Sequence, residues 1–265
     1  MPAPVGIRAA EARPLAPLPA AETPREPVAL FLDMDGVLAP LAPTPDAVLA
    51  DPRRTAVITR LVKALDGRVA IVSGRTLEEI DRIADHASPA AAGVHGLVRR
   101  RADGDETTFT ASPGVARAAE AITAFAAERP GLLVEQKGVA VGIHYRQSPQ
   151  YEAEVLALAA DLAATHGLSI QPGVLVVELK TPGADKGAAL TAFMAEPPFK
   201  GARPIMLGDD LTDEHGFVAA EALGGFGVLV GPPRDTAARY GLSGPDAVLD
   251  WLDSVSAAFE TEPAR

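Results

Sequence analysis

The chain has 265 residues, of which 48% are hydrophobic, and it carries no cysteine and a formal net charge of -11. This composition predicts a soluble globular protein with one large core or two modest ones, and it excludes disulfides, thiolate catalysis and cysteine-bound metals. The acidic balance argues against a nucleic-acid partner, no apolar run approaches the roughly 20 residues of a membrane span, and a cytoplasmic location is expected.

The first 27 residues contain seven prolines and no hydrophobic periodicity. Proline-rich segments without an apolar pattern do not form regular elements. A signal peptide would need a continuous apolar stretch, and a transit peptide would avoid acids such as Glu11 and Glu22. Residues 1–27 are therefore predicted to form a disordered tail.

From Val28 onward, short β-rich runs alternate with Ala- and Leu-rich segments, a pattern typical of a parallel sheet flanked by helices. The first predicted elements are a strand at 28–33, a helix at 52–65, a strand at 68–72, a helix at 77–84 and a strand that ends near Val94. After Pro182 the same pattern returns, with a helix at 186–194, a strand at 204–207, a helix from Thr212, a strand at 226–230 and helices to the end.

The middle of the chain has a different pattern, with two repeats of one helix followed by two strands. The predicted elements are a helix at 114–128, strands at 132–135 and 139–145, a helix at 150–166, and strands at 168–171 and 174–179. Tight turns between these strands indicate antiparallel neighbours. The predicted fold is thus α/β, with a doubly wound, mostly parallel Rossmann-like core at 28–112 and 181–265 and an inserted αββαββ cap at 113–180.

Polar residues follow the strands of the predicted core. Asp33 and Asp35 end the first strand, Ser73 ends the second, and Asp209 and Asp210 end a later strand. In a doubly wound sheet the carboxyl ends of the strands meet at one edge, where ligands bind. Four carboxylates at one edge would repel each other unless a hard cation lay among them, and oxygen ligands without histidine or cysteine favour Mg²⁺.

These residue types together suit the hydrolysis of a phosphate ester. Asp33 can act as the nucleophile, and Asp35, two positions along the same face, can act as the general acid and base. Ser73 and Lys186 can bind the phosphoryl oxygens. Taken alone, each residue also has an ordinary structural explanation, such as a helix cap for the aspartates, a turn for Ser73 and a solvated position for Lys186.

The segments Asp33-Met34-Asp35-Gly36, Ser73-Gly74-Arg75, Lys186-Gly187 and Gly208-Asp209-Asp210-Leu211-Thr212-Asp213-Glu214 resemble, in this order, the haloacid dehalogenase (HAD) superfamily. Within it, the last segment is similar to the trehalose-6-phosphate phosphatases. The segments at 92–96 and 176–180 resemble further parts of that family.

The resemblance implies hydrolysis of trehalose 6-phosphate through an aspartyl-phosphate on Asp33, as a step of trehalose biosynthesis. It implies that Mg²⁺ is held by the Asp33 carboxylate, the Asp35 backbone carbonyl and Asp209, with Asp210 and Asp213 close behind. It also assigns Glu135, Lys137 and Glu178 of the cap to recognition of the distal glucose. An association with a trehalose-6-phosphate synthase is a further expectation.

Two positions leave the interpretation open. Arg146 follows a cap strand, where a bidentate side chain suits a sugar, but an ion pair within a hairpin is an equally good explanation. Position 37 is Val, where the family usually has Thr, and the loss of that hydroxyl is expected to alter the rate or the loop geometry without abolishing activity.

Other functions remain open at this point. A capped phosphatase for another sugar phosphate, such as sucrose 6-phosphate or a mannosyl phosphoglycerate, would carry the same core motifs. A transport ATPase of the superfamily is disfavoured by Asp35 and by the lack of apolar spans. A regulatory pseudophosphatase that binds a synthase is disfavoured by the intact catalytic motifs.

Overall fold

The structure is a computed structural model that describes residues 15–19, 26–42 and 44–260. In these residues the β-strands are, in chain order, β1 Ala16–Pro17, β2 Val28–Leu32, β3 Val69–Val72, β4 Ala90–Gly93, β5 Val98–Arg100, β6 Glu106–Thr108, β7 Leu133–Gln136, β8 Ala140–His144, β9 Ser169–Gly173, β10 Val176–Lys180, β11 Arg203–Gly208, β12 Phe226–Val230 and β13 Tyr240–Leu242. The α-helices are α1 Pro52–Ala64, α2 Leu77–Ala84, α3 Pro113–Ala127, α4 Glu152–His166, α5 Lys186–Met194, α6 Glu214–Ala222 and α7 Pro245–Glu260.

The larger sheet has the order β1-β13-β12-β11-β2-β3-β4-β5-β6. Its strands are parallel from β1 to β4, and β5 and β6 extend it as an antiparallel hairpin. The chain moves outward from β2 through β3 and β4 on one side, and through β11, β12 and β13 on the other. The strand order therefore reverses at β2, which confirms the predicted doubly wound core and brings the ends of β2, β3 and β11 together.

Strand β2 is buried along its whole length because helices cover both faces of the sheet. Leu30 and Leu32 pack in one core cluster with residues of α1, α2 and α7. Ala29 and Phe31 point to the opposite face and pack with residues of α5 and α6. This burial explains why β2 is a continuous apolar run. It also fixes the register of β2 in the sheet, and with it the position of the residues that follow β2.

The second sheet is antiparallel and has the order β7-β8-β10-β9. Helices α3 and α4 cover one of its faces, with Ile122 and Val155 packed against Val141 and Val177. The element order α3-β7-β8-α4-β9-β10 is the predicted αββαββ arrangement. The two segments that lead into and out of it lie side by side, since the Ser112 backbone N–H donates to Thr181 Oγ1 at 3.0 Å.

Most of the predicted tail lies outside the described residues, but residues 15–19 are ordered, so the prediction of disorder is wrong for them. β1 pairs with β13 at the sheet edge. Leu15 and Leu18 pack against the core clusters, and the Trp251 indole donates to the Pro19 carbonyl at 3.2 Å. The partial burial of these two leucines holds the segment in place. A proline-rich composition without periodicity gives no sign of this burial in the sequence.

The hairpin of β5 and β6 and the short strand β13, which lies next to the edge strand β1, are absent from the sequence prediction. β5 contains two arginines whose charges are paired outside the strand, Arg99 with Glu196 at 2.9 Å and Arg100 with Asp81 at 2.6 Å. A strand stabilised in this way lacks the apolar alternation by which strands are recognised. Among the described residues, no helix is long and apolar enough to cross a membrane.

Candidate active site

Three carboxylates meet around one buried lysine at the carboxyl edge of the larger sheet. Asp33 follows β2, Asp209 follows β11, and Asp213 lies in the turn before α6; one oxygen of each lies within 4.8 Å of the others. Lys186, the first residue of α5, places Nζ 2.8 Å from Asp33 Oδ2 and 2.7 Å from Asp213 Oδ1. The strand ends and the helix start thus bring together residues that are far apart in sequence.

The charges of this cluster shift its pKa values. Burial, together with the nearby Asp213 and Asp209, raises the pKa of Asp33 well above its usual value, although Lys186 opposes the rise. Burial and the charges of Asp213 and Asp210 raise the pKa of Asp209 to about 7. Burial lowers the pKa of Lys186, but Asp213 and Asp33 outweigh it and the net shift is upward, so the ammonium stays charged.

Two glycines make room for the cluster. Gly36 has φ +75°, and a Cβ at this position would lie 2.1 Å from Asp209 Oδ2. A Cβ at Gly208 would lie 2.2 Å from Asp213 Cγ. Any side chain at either position would displace a carboxylate, which explains the glycines of the Asp-Met-Asp-Gly and Gly-Asp-Asp segments.

The cluster fits a divalent cation. When all three are ionised, the carboxylates exceed the one ammonium by two negative charges in a largely buried place, and carboxylate oxygens are the donors of hard cations. Asp213 orients the loop that carries Asp209, because its Oδ2 accepts hydrogen bonds from the backbone N–H groups of Asp209 and Asp210 at 2.9 and 3.1 Å. The Asp210 carboxylate lies outside the cluster and caps the turn by accepting from Thr212 N and Oγ1, each at 2.6 Å.

Asp35 also keeps its carboxylate outside the cluster of Asp33, Asp209 and Asp213. Both of its oxygens are bound by Arg75, with Nε 2.6 Å from Oδ2 and Nη2 2.8 Å from Oδ1. Glu79 accepts from the same guanidinium at 3.1 Å. Ser73 is buried beside this pair and accepts from the Arg75 backbone N–H at 3.3 Å. Arg75, the last residue of the Ser73-Gly74-Arg75 segment, is therefore the partner of the candidate general acid.

The predicted sugar-binding residues lie on the face of the second sheet that α3 and α4 do not cover. Glu178 and Glu135 flank Gly142 in the same row of the sheet. A Cβ at Gly142 would lie 3.3 Å from Glu178 Cγ, so the glycine leaves space for both carboxylates. Lys137 binds Glu178 and lies 3.4 Å from Glu135 Oε2, and it donates to the Gly74 carbonyl of the larger sheet at 2.9 Å.

The pairing of these groups determines their charges. Burial raises the pKa of Glu178, but Lys137 and the neighbouring His95 outweigh it and lower the value to about 2. Burial raises the pKa of Glu135 as well, and the hydrogen bond from His144, at 2.8 Å, and the charge of Lys137 reverse the shift. Both carboxylates are therefore ionised acceptors for hydroxyl groups.

Arg146 bridges the two sheets at the far end of this face. Its guanidinium donates to the Ala42 carbonyl, in the loop after β2, and to the Val174 carbonyl at 3.2 Å. It therefore makes no ion pair in the described residues within 4.0 Å, and the hairpin ion pair considered from the sequence is wrong. Val37 is fully buried in the main core cluster, so its methyl groups fill space beside the nucleophile loop.

One cleft of about 200 Å³ connects the carboxylate cluster to the polar face of the second sheet. Its lining includes the predicted catalytic, phosphate-binding and sugar-binding residues: Asp33, Asp35, Ser73, Lys186, Glu135, Lys137, Arg146, Glu178, Asp209 and Asp210. Asp213 lies beneath it, fully buried. His95 also lines the cleft, and sequence reasoning assigned it no role. Two signals were available in the sequence: the segment at 92–96, which contains His95, resembles part of the family, and the histidine stands among small residues directly after a strand.

Comparisons with known proteins identify a family and several relatives that this chain resembles. The trehalose-phosphatase family model matches residues 31–246. The trehalose-6-phosphate phosphatase of Escherichia coli K12 is 38% identical over 91% of this chain and 92% of its own length. A probable trehalose-phosphate phosphatase of Sinorhizobium fredii is 41% identical over 80% of this chain and 81% of its own length.

A solved structure, the C-terminal domain of Candida albicans trehalose-6-phosphate phosphatase, superposes with a TM-score of 0.77 over 88% of this chain and 93% of that one. At 20% identity this likeness shows the fold. The family match extends from β2 to the start of α7, and it therefore includes the whole carboxylate cluster and the second sheet. This chain belongs to the trehalose-phosphatase family.

Proposed function

We propose that this chain is a Mg²⁺-dependent phosphatase that hydrolyses trehalose 6-phosphate to trehalose and inorganic phosphate. The proposal rests on one continuous cleft, which runs from Asp33 to the paired side chains of Glu135, Lys137 and Glu178. A phosphorylated disaccharide has a phosphate at one end and a second sugar at the other. The cleft offers a nucleophile and cations at one end and hydroxyl acceptors at the other.

Asp33, Asp209 and the backbone carbonyl of Asp35 would hold the cation, with Asp213 orienting the loop that carries Asp209. When bound, Mg²⁺ supplies the positive charge that lets a phosphate dianion approach an anionic carboxylate. Lys186 holds Asp33 in place at 2.8 Å and adds a second positive charge beside the phosphoryl group. Ser73 offers a hydroxyl donor on the neighbouring strand end.

In the first half-reaction, an Asp33 oxygen attacks phosphorus, the bond between phosphorus and the sugar oxygen O6 breaks, and Asp35 gives its proton to O6. The products of this step are trehalose and an aspartyl-phosphate. Because Arg75 binds both oxygens of Asp35, the carboxyl group must give up at least one of these bonds to reach O6. Arg75 thus controls where the general acid lies.

In the second half-reaction, water attacks phosphorus of the aspartyl-phosphate and Asp35 takes a proton from it. The bond between phosphorus and the Asp33 oxygen breaks, and inorganic phosphate leaves. Lys186 and the Ser73 hydroxyl bind the same phosphoryl oxygens in both halves, so the two transition states share one set of donors.

The proposal includes the division of the chain that the sequence suggested. Residues 113–180 act as a cap that closes over the core formed by 28–112 and 181–265, with hinges near Ser112 and Thr181. The hydrogen bond between these two residues keeps the hinge segments together as the cap moves. The cytoplasmic location and the association with a synthase stay predictions.

The test is phosphate release from trehalose 6-phosphate, sucrose 6-phosphate and glucose 6-phosphate, with Mg²⁺ and with chelator. We expect the highest kcat/KM on trehalose 6-phosphate, no turnover with chelator and none in Asp33→Asn. Equal kcat/KM on glucose 6-phosphate would refute recognition of a disaccharide. A preference for sucrose 6-phosphate would reassign the substrate, and a lack of any Mg²⁺-dependent turnover would favour a regulatory protein.

A further inference from the structure

His95 adopts an unusual backbone conformation at the junction of the two sheets. It has φ +55° and follows Val94 at φ +48°, so two consecutive residues with side chains occupy the left-handed region. Such conformations are rare for a β-branched residue, and they persist only where the surroundings enforce them. Such conformations concentrate at functional sites.

The loop that carries Ser73 enforces the conformation. The His95 backbone N–H donates to the Ser73 carbonyl at 3.0 Å, and the Val94 N–H donates to the Arg75 carbonyl at 2.8 Å. The imidazole lies directly over Gly74, where a Cβ would come within 2.7 Å of its Cε1 and Nε2 atoms. The left-handed pair therefore wraps the phosphate-binding loop, and Gly74 lacks a side chain because the imidazole takes its space.

The same imidazole faces the second sheet. His95 Nε2 lies 3.4 Å from Glu178 Oε2, and both side chains are buried. Burial lowers the pKa of His95 despite the opposing charge of Glu178, which favours the neutral ring. Within the described residues, His95 Nδ1 and Glu178 Oε2 are the buried side-chain atoms without a hydrogen-bond partner. The approach is therefore incomplete, and a small movement of either group would form the hydrogen bond.

Both carboxylate oxygens of Glu178 thus face groups that contact the phosphate-binding loop. Its Oε1 is bound by Lys137, which also donates to the Gly74 carbonyl, and its Oε2 faces His95, which covers the Gly74 Cα. Given the function proposed above, we propose that His95 is a positioning residue for substrate specificity: its Nε2–H fixes the Glu178 carboxylate that recognises the distal sugar. A carboxylate held from both sides presents its remaining lone pairs in one direction, towards the cleft.

The test compares selectivity, defined as the ratio of kcat/KM for trehalose 6-phosphate to kcat/KM for p-nitrophenyl phosphate, which has no sugar. In His95→Asn, whose short amide cannot reach Glu178, the ratio falls about tenfold, the effect of losing one hydrogen bond to a charged group. His95→Gln restores an N–H near the Nε2 position and recovers most of the ratio. His86→Asn is the matched control, because His86 is an exposed histidine that also has positive φ, at +56°.

A double-mutant cycle completes the test. Glu178→Gln lowers the ratio at least as far, because it also removes the contact with the sugar, and the double variant with His95→Asn falls no further than Glu178→Gln, because His95 acts through Glu178. Additive effects, or a parallel loss on both substrates, would overturn the proposal and leave His95 a structural residue. A wild-type enzyme that does not prefer trehalose 6-phosphate would instead refute the proposed function.

Nuclear magnetic resonance of ¹⁵N-histidine in the wild-type protein tests the proposal without any variant. The chain has five histidines, so assignment by single substitutions is practical. We expect a neutral His95 protonated at Nε2 at pH 7, with a resonance that moves when trehalose is added. A ring protonated at Nδ1 alone could not donate to Glu178, and it would overturn the proposal.

Discussion

Replacement of Lys186 by Met keeps the length of the side chain and removes its charge from the centre of the active site. Nζ contacts Asp33 at 2.8 Å and Asp213 at 2.7 Å, and the side chain is 2% exposed. At an effective dielectric constant of about 20, each contact is worth about 6 kcal/mol before desolvation is subtracted. Removing one partner of a buried ion pair destabilises proteins by about 3–5 kcal/mol, because the other charge stays buried.

For a chain of this size, that loss corresponds to a fall of about 6–20 °C in Tm, at about 2–4 °C per kcal/mol. The fall should be largest with chelator and smaller with Mg²⁺, because a dication can neutralise the carboxylates that Lys186 leaves behind. Phosphate release should be lost under both conditions, since the charge beside the phosphoryl group is gone.

Thermal unfolding of Lys186→Met, with Mg²⁺ and with chelator, measures the effect. Lys63→Met is the control, because Lys63 is an exposed residue in the last turn of α1. A Tm within 2 °C of the wild type in chelator would show that Lys186 contributes little to offsetting the repulsion between the carboxylates. A Tm loss that Mg²⁺ does not reduce would show that the carboxylates do not hold the cation.

Two further predictions concern the carboxylates. Gly36→Ala should weaken Mg²⁺ binding at least tenfold in a calorimetric titration, since its Cβ would displace Asp209; Gly201→Ala, also at positive φ but with open space, should leave it unchanged. The pKa values of Asp33 and Asp209 are raised in the metal-free fold, so these groups contribute stability at low pH that is lost as they ionise, in the case of Asp209 as pH rises through about 7. Because Mg²⁺ binds the ionised groups, the Tm gain from Mg²⁺ should be larger at pH 8 than at pH 6; an equal gain would argue against their role as ligands.

The sequence determined the catalytic edge because parallel strands leave little freedom there. Once Asp33 and Asp209 each follow an apolar run, their strands must be buried and parallel, and their carboxylates must meet where the strand order reverses. The change of hydrophobic pattern, together with the tight turns, also predicted the αββαββ insertion. These inferences depend on local periodicity and on a rule of topology, so they need no knowledge of side-chain packing.

The partners of each charge were decided only by the tertiary structure. Arg75 holds Asp35, Lys186 joins Asp33 to Asp213, and His95 approaches Glu178 across the junction of the two sheets. Each of these contacts joins segments that are far apart in the sequence. Whether it forms depends on backbone angles and on positions accurate to a few tenths of an ångström, and hydrophobic periodicity does not encode these. The sequence therefore determined which groups form the candidate site, whereas tertiary contacts, both around the larger sheet and between the two sheets, determined the partner of each group.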